Sequence, residues 1–145
     1  MKIRDFLKIK SRSVITIGPD ETVHTAIQKL VENKIGALPV CDARGTMLGI
    51  VSERDLLKEC GQRSTAIKST KVKDVMTKEV AVGILEDDLD YVTNIMTQKG
   101  IRHLPIMEGS KLVSIISARD VMEARLEACQ VDVRHLSDYI SGGYA

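Results

Sequence analysis

Apolar positions along this chain follow two rhythms, one helical and one alternating, and the whole succession is written twice. Ile3, Phe6 and Leu7 lie one helical turn apart and predict a short helical turn over residues 2–8. The apolar run Val14–Ile17 predicts a strand, closed by the punctuation Gly18-Pro19-Asp20. Asp20 is then placed to cap a helix whose Val23, Ala26, Ile27, Leu30 and Val31 share one face. Residues 37–41 predict a strand, Asp42-Ala43-Arg44-Gly45 a turn, and Met47–Val51 the returning strand. Ser52 starts a further helix, apolar at Leu56 and Leu57 and ending near Gly61. Gln62–Lys71 is polar and reads as a linker.

The second pass opens with Val72-Lys73-Asp74-Val75-Met76-Thr77 and continues through a strand at Val80–Ile84. Glu86, Asp87 and Asp88 stand at the next helix start, where carboxylates suit the positive end of the dipole. Leu89, Val92, Ile95 and Met96 supply its buried stripe. Strands at His103–Met107 and Lys111–Ile116 lead to a helix from Ala118 to about Cys129. Each half therefore reads strand, helix, strand, strand, helix.

The repeat is plainest in two stretches: Ile35-Gly36-Ala37-Leu38-Pro39-Val40 matches Ile101-Arg102-His103-Leu104-Pro105-Ile106, and Gly49–Leu56 matches Ser114–Val121. The copies lie 66 residues apart at their fronts and 65 at their backs, the difference falling in a polar turn. Two units this small, neither able to bury much core alone, predict one pseudo-symmetric body. Ile3–Lys8, Val72–Thr77 and Leu136–Ser141 echo one another; they read as turns closing each half, or as short amphipathic look-alikes. Gly142–Ala145 reads as a frayed end.

Composition adds exclusions. With 43% hydrophobic residues but only three Tyr and one Phe, the core is aliphatic. The 21 basic side chains are matched by 20 acidic ones, which argues against a nucleic-acid or acidic-membrane partner, and aromatics for base stacking are scarce. Short basic runs such as Lys8–Arg12 read as solvated surface. Cys41, Cys60 and Cys129 form no CxxC pair, so neither a zinc site nor a disulfide framework is indicated, and Cys41 reads as a small buried hydrophobe. Without a leader pattern or a window of about 18 apolar residues, the expectation is a soluble, cytoplasmic protein with no membrane insertion.

Two features carry candidate chemistry. Ser52-Glu53-Arg54-Asp55 and Ser117-Ala118-Arg119-Asp120 each begin a helix directly after an apolar strand. A capping box explains Ser and partly Asp, but an Arg in the first turn opposes the helix dipole. An anion gives the alternative account: free tip amides, the Ser hydroxyl and the Arg converge on a phosphate, while the Asp accepts from sugar hydroxyls. Both accounts stand at this level. Pro39 and Pro105 are the second feature, because each removes a ladder donor and implies an edge, a bulge or a strand start with a cleft beside it. Gly36 allows close approach in the first half, whereas Arg102 and His103 add donors in the second, so two clefts would bind unequally. Arg102 as a surface residue and His103 as a satisfied histidine are the simpler alternatives. No nucleophile with a base assembles, His24, His103 and His135 lack metal spacing, and no GxGxxG or GxxxxGK[ST] loop occurs. Enzymatic activity is not expected.

The doubled aliphatic–Leu–Pro–aliphatic run, the turn and the Ser-x-Arg-Asp close together resemble the cystathionine-beta-synthase (CBS) domain family. Asp74-Val75-Met76-Thr77 resembles the usual opening of such a repeat. The resemblance implies an α+β, sandwich-like fold of two pseudo-symmetric repeats packed through three-stranded sheets, at 8–61 and 74–130, with a 62–73 linker and a 131–145 tail. It implies clefts for an adenosine-containing ligand: AMP, ADP, ATP, NAD or S-adenosylmethionine. Asp55 and Asp120 would hold ribose; Ser52, Ser117, Arg54 and Arg119 would meet phosphate. Adenine would lie near Thr16, Ala37 and Pro39 in the first half, and near Val82, His103 and Pro105 in the second, with Arg102 beside it. Family members pair as flat homodimers, here through residues 22–34, 53–61, 88–99 and 118–129, and regulate another protein. The implied function is a nucleotide-sensing regulatory module; the alternative is a structural adaptor with unoccupied clefts.

Overall fold

In the computed structural model, which describes residues 1–10, 13–63 and 66–140, the two halves share one plan. The frayed-end reading of Gly142–Ala145 lies outside the described residues, as do Ser11, Arg12, Ser64, Thr65 and Ser141. Helix α1 (Ile3–Ile9) comes first, then α2 (Val23–Asn33), β1 (Ala37–Cys41), β2 (Met47–Ser52) and α3 (Glu53–Arg63). A 3-10 turn at Val72–Asp74 opens the second half, followed by β3 (Gly83–Ile84), α4 (Leu89–Lys99), β4 (His103–Glu108), β5 (Lys111–Ser117) and α5 (Ala118–Ile140). Strands β1 and β2 pair antiparallel, β4 and β5 likewise, and β3 adds to β4 in parallel. Helices α2 and α3 pack on the first sheet and on each other, as α4 and α5 do on the second.

The two prolines explain why the leading strand of each half is shorter than Val14–Ile17 and Val80–Ile84 predict. Ile17 N donates to Pro39 O (3.0 Å) and Cys41 N to Ile17 O (2.9 Å), a single parallel bridge. The next rung back needs an N–H at Pro39 to meet the Ile15 carbonyl, and proline has none. Gly83 faces Ile106 in the same way, so Pro105 withholds the donor that Ala81 would use, and β3 begins only at Gly83. Both prolines are buried, Pro105 in the middle strand of its sheet and Pro39 in a two-stranded sheet whose outer side, among the described residues, meets only the Ile17 bridge, and each is followed by a bulge, at Val40/Cys41 and Ile106/Met107.

The segments that lead into the halves are exchanged. Ile3 and Phe6 are buried in the second core with Leu89, Val92, Met96, Leu104, Ile106, Ile116 and Val121. Val72 is buried in the first core with Ile17, Val23, Ala26, Leu30, Leu38, Val40, Val51 and Leu56. The hydrogen bonds repeat the exchange. Ile3 N donates to Asp87 O and Arg4 N to Leu85 O, matching Val72 N to Glu21 O and Lys73 N to Pro19 O. The first amides of α4 and α2 reach the Met1 and Thr70 carbonyls (3.0 and 2.9 Å), so each exchanged segment satisfies donors that a helix start leaves open. The polar stretch before residue 72 thus caps α2 as well as joining the halves. Among the described residues, the Leu136–Ile140 echo of Val72–Thr77 enters neither core; Leu136 is exposed on α5.

Several local expectations are corrected. Thr22, not Asp20, caps α2, its Oγ1 accepting from Thr25 N (3.2 Å), while Asp20 pairs with Lys71 and Lys73. Val31 and Leu57 are exposed rather than core. Cys41 is only half-buried, although burial still pushes its thiol pKa up. Helix α5 runs on to Ile140 instead of stopping near Cys129. Between the halves, Ile50 and Thr77 exchange backbone hydrogen bonds (3.0 and 2.9 Å), and Thr46 bridges to Lys111. Gly49 makes the first approach feasible: a Cβ there would lie 2.6 Å from the Thr77 carbonyl oxygen.

Candidate functional site

Each Ser-x-Arg-Asp sequence begins a helix where a strand ends, and each forms a closed cap. Asp55 Oδ2 accepts from Ser52 N and Ser52 Oγ (both 3.0 Å), while Asp55 N donates back to Ser52 Oγ (3.2 Å). Ser117 N donates to Asp120 Oδ2 (2.9 Å) and Asp120 N to Ser117 Oγ (3.1 Å). A further tip amide is bound by the preceding loop: Glu53 N reaches Gly36 O (3.0 Å) and Ala118 N reaches Arg102 O (2.8 Å). The expectation of vacant amides converging on an anion is therefore corrected. The reciprocal cap occupies most of them, leaving the Arg54 and Arg119 amides outside it.

Space nonetheless lies beside both tips. A cavity of about 960 Å³ borders Ser52, Arg54 and Asp55, with Lys58 and Gln62 further along α3. Its facing wall is Thr77 and Glu79–Ala81, together with Arg102. A second cavity, about 470 Å³, borders Ser117, Arg119 and Asp120, and its facing wall is Ser13–Ile15 with Lys34. Each facing wall thus includes the stretch that a proline has kept out of the ladder, Glu79–Ala81 or Ser13–Ile15, which comes from the other half's leading segment. Gly36, Ala37, Glu53 and His103 line both cavities and form the partition between them.

This geometry redistributes the predicted residues. Asp55 shares the larger cavity with Val80 and Ala81, and Asp120 shares the smaller with Val14 and Ile15, so each cavity takes its lining from both halves. Ala37, His103, Ser52, Arg54, Asp55, Ser117, Arg119 and Asp120 all border a cavity, and Arg102 borders the larger one. Thr16, Pro39, Val82 and Pro105 border neither. Thr16 O instead accepts from Lys29 Nζ (3.0 Å), and the prolines act from within the core through the N–H they lack. Sequence reading missed Lys58, although it lies one helical turn beyond Arg54 and so on the same face. It also missed Glu53 and the 79–81 and 13–15 walls, whose placement follows from the exchange.

The cavities differ in charge. Among the described residues, Arg54, Lys58 and Arg102 form no ion pair, so the larger cavity has three uncommitted cations facing Glu53, Asp55 and Glu79. Arg119 is paired through one nitrogen: its Nε lies 3.2 Å from Glu123 Oε1, on a side chain 86% exposed, and the other Glu123 oxygen meets Lys10 Nζ at 2.6 Å. Lys10, expected to be solvated, is half-buried by that contact. The Lys10 hydrogen bond, and then Arg119, hold the Glu123 carboxyl below its ordinary range. Asp120 is buried, whereas Asp55 keeps Oδ1 outside the cap.

At the partition, His103 packs so tightly on the first half that a Cβ on Gly36 would lie 2.9 Å from its Cε1. Burial pushes the imidazole pKa below its ordinary value and Arg102 adds to this; the Glu53 and Asp120 carboxylates pull the other way. Among the described residues no group of three or more His, Cys, Asp or Glu is placed to hold a metal, and no helix is long and apolar enough to cross a membrane.

Comparison with known proteins agrees with this architecture. A crystallised CBS-domain protein of Agrobacterium tumefaciens is 39% identical and superposes with a TM-score of 0.82, over 86% of this chain and 99% of that one. A mitochondrial CBS domain-containing protein of Arabidopsis thaliana is 29% identical over 98% of this chain and 73% of its own length. A CBS domain pair crystallised with 5′-methylthioadenosine and S-adenosyl-L-methionine shares the fold at 23% identity and a TM-score of 0.77, covering 90% of this chain and 98% of that one. The CBS domain model matches residues 3–61 and 72–127, so its first match takes in α1 and its second starts at Val72, and with both repeats matched the chain belongs to the CBS domain family.

Proposed function

We propose that the chain is a non-catalytic regulatory module whose two cavities bind adenine nucleotides and whose occupancy is passed on through a homodimer or a regulated protein. One observation carries the reading: each cavity sets a Ser-x-Arg-Asp tip against backbone that a proline has left without a ladder partner. The Ile15 and Ala81 carbonyls suit the exocyclic amino group of adenine, and Asp55 Oδ1 suits a pair of ribose hydroxyls. The larger cavity is the better phosphate site, because Arg54, Lys58 and Arg102 are uncommitted there. A protein of the same fold holds adenosyl ligands, which supports the chemical class. Binding rather than turnover is the assigned output, and a site in the cytoplasm is the setting in which such ligands are met.

Calorimetric titration with AMP, ADP, ATP, NAD and S-adenosylmethionine tests it. The expected result is binding, weakened by Asp55→Ala at the larger cavity and by Asp120→Ala at the smaller. No heat with millimolar ligand overturns the reading. A structural adaptor is the second reading, favoured by the closed Ser–Asp caps at both tips. A melting temperature indifferent to nucleotides, alongside a stably bound protein partner, selects it.

A further inference from the structure

Helix α5 is far longer than its counterpart. Ser52 and Ser117 are equivalent, so the 11 residues of α3 correspond to the first 11 of α5, yet α5 has 23 residues. The added stretch does nothing for the core: the buried residues of α5 are Asp120 and Val121, with Ala118 and Ala124 packed at the margin.

The extension nevertheless has an apolar pattern. Met122, Leu126, Cys129, Val133, Leu136 and Ile140 follow one another at spacings of 4, 3, 4, 3 and 4 residues. That is an unbroken heptad seam, and at 3.6 residues per turn its members fall within an arc of about 80°. All six are exposed, the five large hydrophobics by 59–82%. The seam is turned away from the core-facing line of Val121 and Ala124, which continues to Val131.

We propose that residues 122–140 of α5 form a parallel two-stranded coil with the same helix of a second copy of this chain. A 3.5-residue period asks for a partner helix of the same period, and this helix supplies it to itself. In heptad terms Leu126, Val133 and Ile140 take the first core position, and Met122, Cys129 and Leu136 the second. Of these, Val133 and Ile140 at the first position and Leu136 at the second follow the pattern that favours two parallel strands, while Leu126, Met122 and Cys129 do not distinguish. The flanking charges select the same arrangement. In parallel register Arg125 faces Gln130 and Asp132 faces Ser137, with no like-charged pair. An antiparallel pairing of the two core positions centres on residue 131 and sets Asp132 against its own copy. The seam starts on the globular body at Met122, and at about 27 Å the coil is too short to be stable in isolation, so the two bodies must add contact of their own beside it. This inference is independent of whether the cavities bind nucleotide.

The parallel register also sets Cys129 against the second copy's Cys129, within reach of a disulfide after a small local adjustment. The test uses the full chain carrying Cys41→Ser and Cys60→Ser, examined by sedimentation and by copper-phenanthroline oxidation. A dimeric mass and a Cys129-linked dimer are expected. Leu136→Glu is expected to weaken dimerisation at least tenfold and to abolish linkage, whereas Val131→Glu changes neither. Because Leu136 is exposed in the single chain, unchanged helicity and melting of the dissociated protein separate a lost coil from a lost fold. A monomer at high concentration overturns the proposal, as does a dimer that resists Leu136→Glu and does not link through Cys129. Linkage of Cys129 to a cysteine introduced by Val133→Cys, in preference to Cys129 itself, overturns the parallel arrangement.

Discussion

The two cavities are built from equivalent parts, yet one carries three uncommitted cations and the other has its arginine tied to Glu123. The difference arises outside the shared Ser-x-Arg-Asp sequence. Four residues beyond Arg54 stands Lys58, a like charge; four beyond Arg119 stands Glu123, an ion-pair partner that also draws in Lys10. The sequence signature fixes the cap, and the next helical turn decides which charge stands beside its arginine. The same contrast runs through the halves as bodies, since each completes the other's core while only the second helix pair extends past the fold.

The largest effect should come from breaking the exchange. Phe6 precedes the first half in sequence but fills the second core, so Phe6→Ala is expected to destabilise by about 3–5 kcal/mol in urea unfolding. If α1 were instead a loose leader, the loss would be within about 0.5 kcal/mol. Ile3→Ala should follow at about 2–5 kcal/mol, and Val72→Ala makes the reciprocal test on the first core.

Next is the junction between the halves. Gly49 faces the Thr77 carbonyl, a backbone atom that cannot swing aside, whereas its counterpart in the other half is Ser114, which has a side chain. Gly49→Ala is expected to cost about 1–3 kcal/mol by overpacking. A neutral result in thermal or urea melts would mean that the Ile50–Thr77 bridge yields easily.

Much of this molecule could be read from residues alone, and the failures have physical reasons. The helices and the turn at Asp42–Gly45 are set by local periodicity and by side-chain acceptors such as Asp42 Oδ1, which binds the Arg44 and Thr46 amides. The exchange was not legible, because an apolar stripe states that it must be covered and not by which half. Val31 and Leu57 lie at helical spacing beside true core positions, and periodicity cannot place the margin of a face. The end of α5 was legible and was misjudged: no Gly or Pro interrupts the chain between Gly109 and Gly142, so nothing stops the helix at Cys129. Of the cavities, the tips were visible in the repeat, but their opposing walls depend on the crossed chain path.

The contrast in charge predicts a difference in binding. Arg54→Ala is expected to weaken ATP binding at the larger cavity about tenfold, roughly 1.4 kcal/mol, an allowance reduced for an exposed side chain. Arg119→Ala should weaken nucleotide binding less than Arg54→Ala does, because Glu123 sets a carboxylate beside Arg119 in the smaller cavity, although so exposed a pair is itself weak. The Arg54 term should also shrink as salt is raised. Equal losses for the two variants, measured by calorimetry at one ionic strength, would remove the asymmetry.

The smallest effect belongs to the partition. His103 titrates below its ordinary value chiefly because it is buried, so near neutral pH it is uncharged in the folded chain. On unfolding it regains its ordinary pKa of about 6.5 and takes up a proton below that pH. The unfolded state then binds more protons than the native one. The stability associated with a neutral His103 is therefore complete above about pH 6.5 and declines as pH falls through that value, levelling off below the folded pKa. Surface carboxylates held low by their partners, such as Glu86 beside Arg4, lose their contribution at a more acidic stage and do not mask this step. Chemical denaturation across pH 5–8 should show the decline in the native chain and its loss in His103→Gln, which cannot titrate. An NMR titration placing the His103 midpoint above 6.5 would mean that Glu53 and Asp120 outweigh burial, and the slope would then reverse.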